Sequence, residues 1–216
     1  MTSELERRLR EGLADLGLSL SDVQVSQLLA YQGLIAKWNQ VYNLTAVRDP
    51  QEMLSHHLLD SLAVVRPLRQ QLAGRTTLLD VGSGAGLPGV VLAITCPDLR
   101  VTCVDTVAKK AAFIQQVAVT LGLPQLKGLH ARVETLPGPY DVISSRAFSS
   151  LADFVKGSRQ ALASQGVWMA MKGKHPQEEL TALPVDVSVF HVEPLTVPGL
   201  SAERCIVWMR LAAQDS

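Results

Sequence analysis

The sequence predicts an α/β fold in which a mostly parallel, doubly wound sheet follows an N-terminal helical extension. From about residue 76 onward, short apolar runs alternate with helical stretches, and this alternation is typical of βαβ units. Before that point the apolar residues recur at helical spacing, which indicates helices throughout. We therefore expect a helical extension over residues 1–73 and one compact, sheet-containing unit over residues 74–216.

The first long helix of the extension is predicted from its start signal and its apolar face. Ser21 and Gln24 have the spacing of a capping box, in which each residue satisfies a free backbone N–H at the helix start. Apolar side chains then recur on one face at Leu28, Tyr31, Leu34, Ile35, Trp38, Val41 and Tyr42. The periodic pattern breaks at the stretch NLTAVRDP, where we expect Asn43–Thr45 to cap the helix junction.

A second helix start follows this break. Asp49 is an acidic cap, and Pro50 suits the first helical turn because the missing N–H is not needed there. We expect the helix to continue over residues 53–65 and to loosen at Arg66-Pro67, because a residue before proline is biased away from helical geometry.

The sheet-containing unit is predicted from alternating strands and helices. Four apolar runs predict parallel strands, in TLLDV, RVTCVD, LKGLHA and YDVISS. Helices are predicted over Leu87–Cys96, Ala108–Leu121 and Ser150–Ala163. After Gly166 the chain is rich in strand formers, in VWMAMKG, VSVFHVEPL and RCIVWMRL. We expect the last two of these strands to pair antiparallel at one edge of the sheet.

Composition limits the class of protein. The 216 residues are 47% hydrophobic and 19% charged, which is typical of a globular chain. No apolar run approaches the roughly 20 residues of a membrane helix, and the charged start MTSELERRLREGL is unlike a signal peptide. The three cysteines show no CxxC spacing, so we expect reduced thiols, no metal site and a cytoplasmic location. The net charge of zero lacks the basic excess of many nucleic-acid binders, although a local basic patch would suffice.

A glycine-rich loop, LLDVGSGAGLPGV, follows the first predicted strand. Gly82, Gly84 and Gly86 allow positive φ and close approach of a ligand to the backbone. The following helix start offers free N–H groups. This arrangement predicts a nucleotide-like ligand at the carboxyl end of the first strand, but the GxGxxG match alone does not distinguish a dinucleotide from other nucleotides.

Two residues argue against a dinucleotide in this loop. The Asp80 carboxylate, just ahead of the glycines, would repel a pyrophosphate and attract a cation, unless it only caps or stiffens the turn. Pro88 lacks a backbone donor at the expected helix start. Asp105 ends the second strand, 19 residues after Gly86, which is the distance expected of an acid that binds ribose hydroxyls. S-adenosylmethionine, which has a ribose, an ammonium and a sulfonium but no phosphate, fits this set best.

Several stretches together carry a family resemblance. WNQVYNLTAVRDP, HLLDSL, LLDVGSGAGLPGVVLAI, RVETL, SRAF and the late MKG make the chain similar to the glucose-inhibited division protein B family, over about residues 28–210. The resemblance implies a Rossmann-like class I methyltransferase fold and methylation of guanine N7 in 16S ribosomal RNA. It also implies adenosylmethionine contacts at Gly82, Leu87, Val133, Glu134 and Arg146, with Asp105 at the ribose.

The end of the fourth strand is the expected meeting point of cofactor and substrate. Arg146 would contact a phosphate, guanine O6 or the cofactor carboxylate, and Phe148 would stack on a base, unless Phe148 only heads the next helix in the core. These two residues are our catalytic candidates, acting by alignment alone. The expected RNA contacts are completed by Asn43, which the resemblance places near the substrate, and by Lys172, Lys174 and Arg204.

Other interpretations of the sequence remain open at this level. His57 and Asp60 are spaced for a hydrogen bond on one helical face, and no third metal ligand accompanies His56 and His57. The expected partner is 16S rRNA or the 30S particle. We expect the protein to be a monomer and to bind neither a membrane nor a metal. The alternatives are a methyltransferase of a small molecule or protein, a noncatalytic ribosome-assembly protein that binds RNA, and, disfavoured by Asp80 and Pro88, a dinucleotide oxidoreductase.

Overall fold

A computed structural model describes residues 3–147 and 150–212. Its sheet has the strand order β3-β2-β1-β4-β5-β7-β6. The strands β1 to β5 run parallel to one another, and β7 pairs antiparallel with both β5 and β6. The strands are β1 Thr77–Val81, β2 Arg100–Asp105, β3 Leu126–His130, β4 Tyr140–Arg146, β5 Leu162–Lys172, β6 Val187–Leu195 and β7 Arg204–Leu211. The doubly wound, mostly parallel sheet and its antiparallel edge are therefore as predicted.

Helices precede the sheet and cover its faces. Before β1 lie α1 Glu4–Asp15, α2 Asp22–Tyr42, α3 Pro50–Met53, α4 Asp60–Leu62 and α5 Val65–Leu72. Between the strands lie α6 Gly89–Thr95, α7 Ala108–Leu121, α8 Leu151–Ser158 and α9 Gln177–Thr181. Short 3₁₀ turns occur at Val133–Thr135 and Arg159–Ala161. The predicted bounds of α7 are confirmed.

The predicted helix starts are confirmed in atomic detail. Ser21 accepts a hydrogen bond from the Gln24 N–H, and the Gln24 side chain accepts one from the Ser21 N–H. Asp49 caps α3 by accepting from two backbone N–H groups of the first turn. Asn43 ends α2 in the left-handed conformation, with φ of 48°, which asparagine tolerates better than most residues.

The prediction of one continuous helix over residues 53–65 is wrong. Its middle, Leu54–Leu59, is a π-helical segment, and the chain turns at Ala63 and Val64 before α5 begins. Pro67 does not loosen a helix, because it lies in the first turn of α5, where its missing N–H leaves no hydrogen bond unmade.

Two other helix predictions are too long. The turn over residues 84–88 delays the start of α6 to Gly89, so the helix is shorter than Leu87–Cys96. The helix predicted over Ser150–Ala163 ends at Ser158, and β5 already includes Ala163. Gly166 lies inside this strand rather than before it.

Two apolar clusters fill the molecule, one on each face of the sheet. The larger cluster joins the N-terminal helices to α6 and α7, with Leu28, Tyr31 and Ile35 of α2 fully buried. The predicted boundary at residue 74 lies between α5 and β1, and the shared cluster packs the extension tightly on the sheet. All three cysteines are buried free thiols. Within the described residues, no helix combines the length and hydropathy needed to cross a membrane.

Candidate active site

The candidate site lies at the carboxyl ends of β1, β2 and β4, where the chain order of the sheet reverses. In doubly wound sheets, ligands bind in the crevice at such a position. A cavity of about 680 Å³ lies at the amino-terminal end of β5, beside Arg75, Arg159 and Arg210. That cavity is remote from the carboxyl ends of the parallel strands, so the topology favours the crevice for the chemistry.

Three glycines of the loop adopt backbone conformations that residues with side chains rarely adopt. Gly82, Gly84 and Gly86 have φ of 64°, 58° and 92°. A Cβ added at Gly84 would meet nothing within 4 Å, so this glycine faces open space. Gly82 donates to the Val104 carbonyl of β2, which ties the loop to the neighbouring strand. The loop thus presents an exposed backbone surface above the strand ends.

The Asp80 carboxylate is fully buried beneath the loop. Its Oδ2 accepts from the Gly89 N–H at 2.9 Å, and its Oδ1 accepts from the Ser144 hydroxyl at 2.9 Å. Ser144 is its partner in the β1–β4 register. Burial raises the pKa of Asp80 to about 6, while the bonds from Gly89 and Ser144 oppose this shift. The structure therefore gives Asp80 the turn-capping role. Its predicted contact with a bound cation stays a prediction.

Asp105 joins the glycine loop to the end of β2. Its Oδ2 accepts from the Gly84 N–H at 3.0 Å, and its Oδ1 accepts from the Val107 N–H at 2.9 Å. Lys110 Nζ lies 3.8 Å from Oδ2. A carboxylate held by two backbone donors at this strand end has a fixed orientation, as a ribose-binding acid requires.

Three further predicted cofactor residues lie on turns around the crevice, and Arg146, also predicted to contact the cofactor, ends β4. Val133 and Glu134 form the 3₁₀ turn after β3, with Val133 buried and Glu134 exposed. Leu87 is buried in the glycine loop. Gln160 donates to the Glu134 carbonyl and so joins the turn after β3 to the 3₁₀ turn Arg159–Ala161.

Tyr31 is a residue of the site that sequence reasoning assigned only to a helical face. Its hydroxyl donates a 2.6 Å hydrogen bond to the Ala85 carbonyl in the glycine loop. Burial raises the pKa of this hydroxyl well above its usual value. A tyrosine near the middle of the apolar helical face was the available signal, because a buried hydroxyl requires a partner.

The crevice fits the group that the sequence predicts. Gly84 leaves space for a ligand against the backbone, and Asp105 lies almost buried at the adjacent strand end. The accessible part of the loop carries no side chain at Gly82 and Gly84, whereas Gly86 is buried. These observations fit an uncharged ribose and its neighbouring groups, so the proposed cofactor residues suit adenosylmethionine.

A second cavity, of about 540 Å³, opens beside the end of β4. Asp60, which is only 2% exposed, lines it together with two arginines. Arg146 Nη1 lies 3.0 Å from Asp60 Oδ2, and Arg204 Nε lies 2.8 Å from Asp60 Oδ1. Arg146 Nη1 also donates to the His56 carbonyl at 2.9 Å. The structure thus brings together Arg146 and Arg204, which the sequence predicted separately.

The predicted pairing of His57 with Asp60 is wrong. His57 Nε2 lies 2.8 Å from the Thr45 hydroxyl, while both Asp60 oxygens face arginines. The π-helical backbone alters the side-chain spacing that an α-helix would impose. Burial and the positive charge of Arg146 lower the pKa of His57. Among the described residues, no group of three or more potential ligands could hold a metal ion.

The two predicted RNA-binding lysines have different environments. Lys172 Nζ lies 2.8 Å from Glu179 Oε2 and is mostly buried, so a phosphate would have to compete with this pair. Lys174 is exposed. Asn43 is exposed and accepts a hydrogen bond from Arg48; it terminates α2 rather than lining the second cavity.

Ala147 adds backbone strain at the edge of the cavity. Its φ of 58° is unusual for a residue with a side chain, and such conformations cluster at functional sites. Phe148, the predicted stacking residue, lies outside the described residues.

The sequence model of one family matches most of the chain. That family, GidB, is described as rRNA small subunit methyltransferase G, and the match spans residues 24–207. The chain belongs to the GidB family. A ribosomal RNA small subunit methyltransferase G of Acidovorax ebreus is 67% identical over 220 residues, covering 98% of this chain and 97% of the relative. One from a Polaromonas species is 69% identical over 210 residues, covering 95% and 93%.

Solved structures resemble this GidB protein at low sequence identity. A SAM-dependent methyltransferase from Aquifex aeolicus aligns with a TM-score of 0.54 and 18% identity, over 74% of this chain and 98% of that one. TrmN from Thermus thermophilus aligns with a TM-score of 0.55 and 18% identity, over 73% and 53%. At this identity the likeness concerns the fold alone, and it confirms the predicted Rossmann-like methyltransferase fold.

Membership in the GidB family also confirms three functional predictions. The chain is a methyltransferase, its substrate class is small-subunit ribosomal RNA, and adenosylmethionine is its methyl donor. The alternatives of a small-molecule or protein methyltransferase and of a noncatalytic assembly protein are not favoured.

Proposed function

We propose that this protein transfers a methyl group from adenosylmethionine to N7 of a guanine in 16S ribosomal RNA. The observation that carries the proposal is that two sites lie together at the carboxyl ends of the parallel strands. A glycine loop with Asp105 lies at the ends of β1 and β2, and an arginine-lined cavity lies beside the end of β4. The first suits an adenosine cofactor and the second an anionic substrate.

Guanine N7 suits the side chains at the end of β4. The chain has Ser145-Arg146-Ala147-Phe148 there, not the Asn/Asp-Pro-Pro-aromatic stretch usual in methyltransferases of exocyclic amines. N7 carries a lone pair in the ring plane and no proton. Its attack forms the N–CH₃ bond as the S–CH₃ bond breaks, so no residue has to remove a proton. Catalysis then depends on alignment of the two reactants.

The residues of the cofactor side bind and orient. When bound, adenosylmethionine supplies an electrophilic methyl group on a sulfonium. We assign its binding to the loop glycines, to Asp105 at the ribose, and to neighbouring turns, comprising Gly82, Gly84, Gly86, Leu87, Val133 and Glu134. Asp80 supports this set from beneath, because it caps the Gly89 N–H and so fixes the loop.

The residues of the substrate side bind RNA. We assign Arg146 and Arg204 to the cavity floor and Lys174 to an exposed phosphate contact. Lys172 lines the cavity while paired with Glu179, and Asn43 is assigned to a contact at the end of α2, outside the cavity. We further propose that the protein acts as a monomer in the cytoplasm, where small subunits assemble, on 16S rRNA or the 30S particle.

Mass spectrometry of rRNA nucleosides tests the proposal directly. Transfer of tritiated methyl to 30S subunits or 16S rRNA from a strain lacking the enzyme should yield 7-methylguanosine. No labelled RNA, or label on another base atom, contradicts it. Calorimetry with adenosylmethionine tests the cofactor site separately. Arg146→Ala should lower methyl transfer more strongly than it weakens cofactor binding, because its described contacts lie on the substrate side.

A further inference from the structure

Asp60 connects three parts of the chain at the second cavity. It lies in the N-terminal extension, and its two oxygens accept from Arg146 and Arg204, which are 86 and 144 positions away. Arg146 ends β4 and pairs in register with Met171 of β5. Arg204 begins β7 beside the residue that pairs with Lys172 of β5. The carboxylate therefore bridges two strands that the end of β5 separates.

The bridge fixes the position of both guanidinium groups. Arg146 Nη1 is held by Asp60 and by the His56 carbonyl. Arg204 is held through Nε by Asp60 and through Nη1 by the Glu203 carbonyl. These bonds do not use Nη2 of either arginine. Both side chains keep about a quarter of their surface exposed, at 22% and 24%, on the wall of the 540 Å³ cavity.

The charges leave this cluster positive. One buried carboxylate faces two arginines, so the three residues carry a net charge of +1. Arginine presents its N–H groups in a planar fork that matches the oxygens of a phosphate. Asp60 is only 2% exposed and both its oxygens face guanidinium groups, so we assign it to the arginines and not to a guanine edge.

We propose that Asp60 is a positioning residue that holds Arg146 and Arg204 side by side as a clamp for a phosphate group of the RNA substrate. This inference rests on the proposed function and specifies how its substrate side is built. Asp60 contributes no contact to RNA. It fixes two long, flexible side chains in advance, so that less conformational entropy is lost when the phosphate binds.

Asp60→Asn distinguishes positioning from simple electrostatics by the sign of its effect. If Asp60 only lowered the positive charge of the cavity, its neutralisation would tighten RNA binding. If it positions the arginines, the variant should bind RNA more weakly, because an amide can accept from one arginine but presents N–H groups to the other. We expect KM for 30S subunits from a strain lacking the enzyme to rise about tenfold, within the range that misplaced groups produce.

Matched variants separate this effect from a loss of folding. Asp186→Asn removes the acidic partner of Arg159 in an exposed ion pair far from the crevice, and should leave KM unchanged. Asp60→Glu keeps the charge and should restore part of the affinity. Calorimetry with adenosylmethionine checks that the crevice of each variant is intact.

A double-mutant cycle tests whether Asp60 acts through Arg204. Arg204→Lys keeps the positive charge but loses the fork, and should raise KM by a similar factor. The double variant should raise KM by less than the product of the two single effects, because both changes disrupt the same clamp. If Asp60→Asn does not fold, Arg204→Lys alone carries the test.

The outcomes separate this inference from the proposed function. If the wild type does not methylate 30S subunits, the proposed function fails. If the wild type methylates them but Asp60→Asn retains cofactor binding with an unchanged or lower KM, the clamp is refuted. If Asp60→Asn is unfolded and Arg204→Lys leaves KM unchanged, the clamp is likewise refuted. Fully additive effects in the cycle also overturn it.

Discussion

The hydroxyl of Tyr31 in α2 donates to the Ala85 carbonyl in the glycine loop, over 2.6 Å. The Tyr31 ring also stacks on Phe113 of α7, with centroids 6.4 Å apart. A residue of the N-terminal extension thus holds the backbone of the proposed cofactor loop. The extension is therefore part of the site and not only a cover for the sheet.

Tyr31→Phe should destabilise the loop without disturbing the packing. The ring remains, but the buried Ala85 carbonyl loses its donor, which costs about 1–2 kcal/mol of unfolding free energy. We expect adenosylmethionine affinity to fall several-fold by calorimetry. Tyr42→Phe removes the same atom from an exposed ring and serves as the control. Equal effects of the two changes would show that the Tyr31 hydroxyl has no special role.

Gly84→Ala should weaken cofactor binding beyond its effect on stability. A side chain at φ of 58° is strained and would project into the space assigned to the ligand. Gly122→Ala is closely matched, since its φ is 64° and a Cβ there also meets nothing within 4 Å. Both variants should lose about 1 kcal/mol of stability, and only Gly84→Ala should lose adenosylmethionine affinity. Unchanged affinity would refute the ligand's placement on the loop.

Asp80→Asn should alter how stability depends on pH. The folded-state pKa of about 6 lies above the ordinary value of 3.8, so the folded protein binds this proton more tightly. The contribution of Asp80 to the unfolding free energy is therefore fully present below pH 3.8 and is lost as pH rises through about 6. Denaturant titrations from pH 4 to 7 should show wild type losing about 2 kcal/mol relative to Asp80→Asn. A constant difference would contradict this.

Lys174→Ala and Lys172→Ala should affect different properties. Lys174 is exposed, so its loss should weaken RNA binding and make the salt dependence shallower. Lys172 is paired with Glu179, which also accepts from the Leu151 N–H at the start of α8. Its loss should mainly lower the melting temperature. Binding titrations at several salt concentrations, with thermal unfolding, check both; a reversed pattern would exchange the two roles.

Local signals predicted most of the fold. Helix starts were predictable where one short segment supplies both donor and acceptor, as at Ser21 and Gln24. The parallel direction of the first strands followed from their alternation with helices, whereas the strand order was not predicted. The π-helical segment at Leu54–Leu59 was not predictable, because its apolar pattern fits an α-helix and its geometry depends on packing.

The candidate site was predictable in its parts but not in its connections. Asp105 and the loop glycines carry a local spacing signal. The partners of Asp60 and the bond from Tyr31 to Ala85 join residues far apart in the chain, and no sequence spacing encodes such contacts. Asp80 showed the limit most clearly, since the sequence placed a carboxylate at the loop but not the Gly89 and Ser144 donors that engage it.

The antiparallel direction of β7 has a consequence for synthesis of the chain. Because β7 runs against β5, its first residue, Arg204, reaches the crevice. The glycine loop and Asp105 are translated about a hundred residues earlier. A growing chain therefore gains every residue of its nucleoside pocket while the Oδ1 atom of Asp60 still lacks its guanidinium. Of the two arginines in the proposed clamp, Arg204 is therefore the one whose translation completes the partners of Asp60.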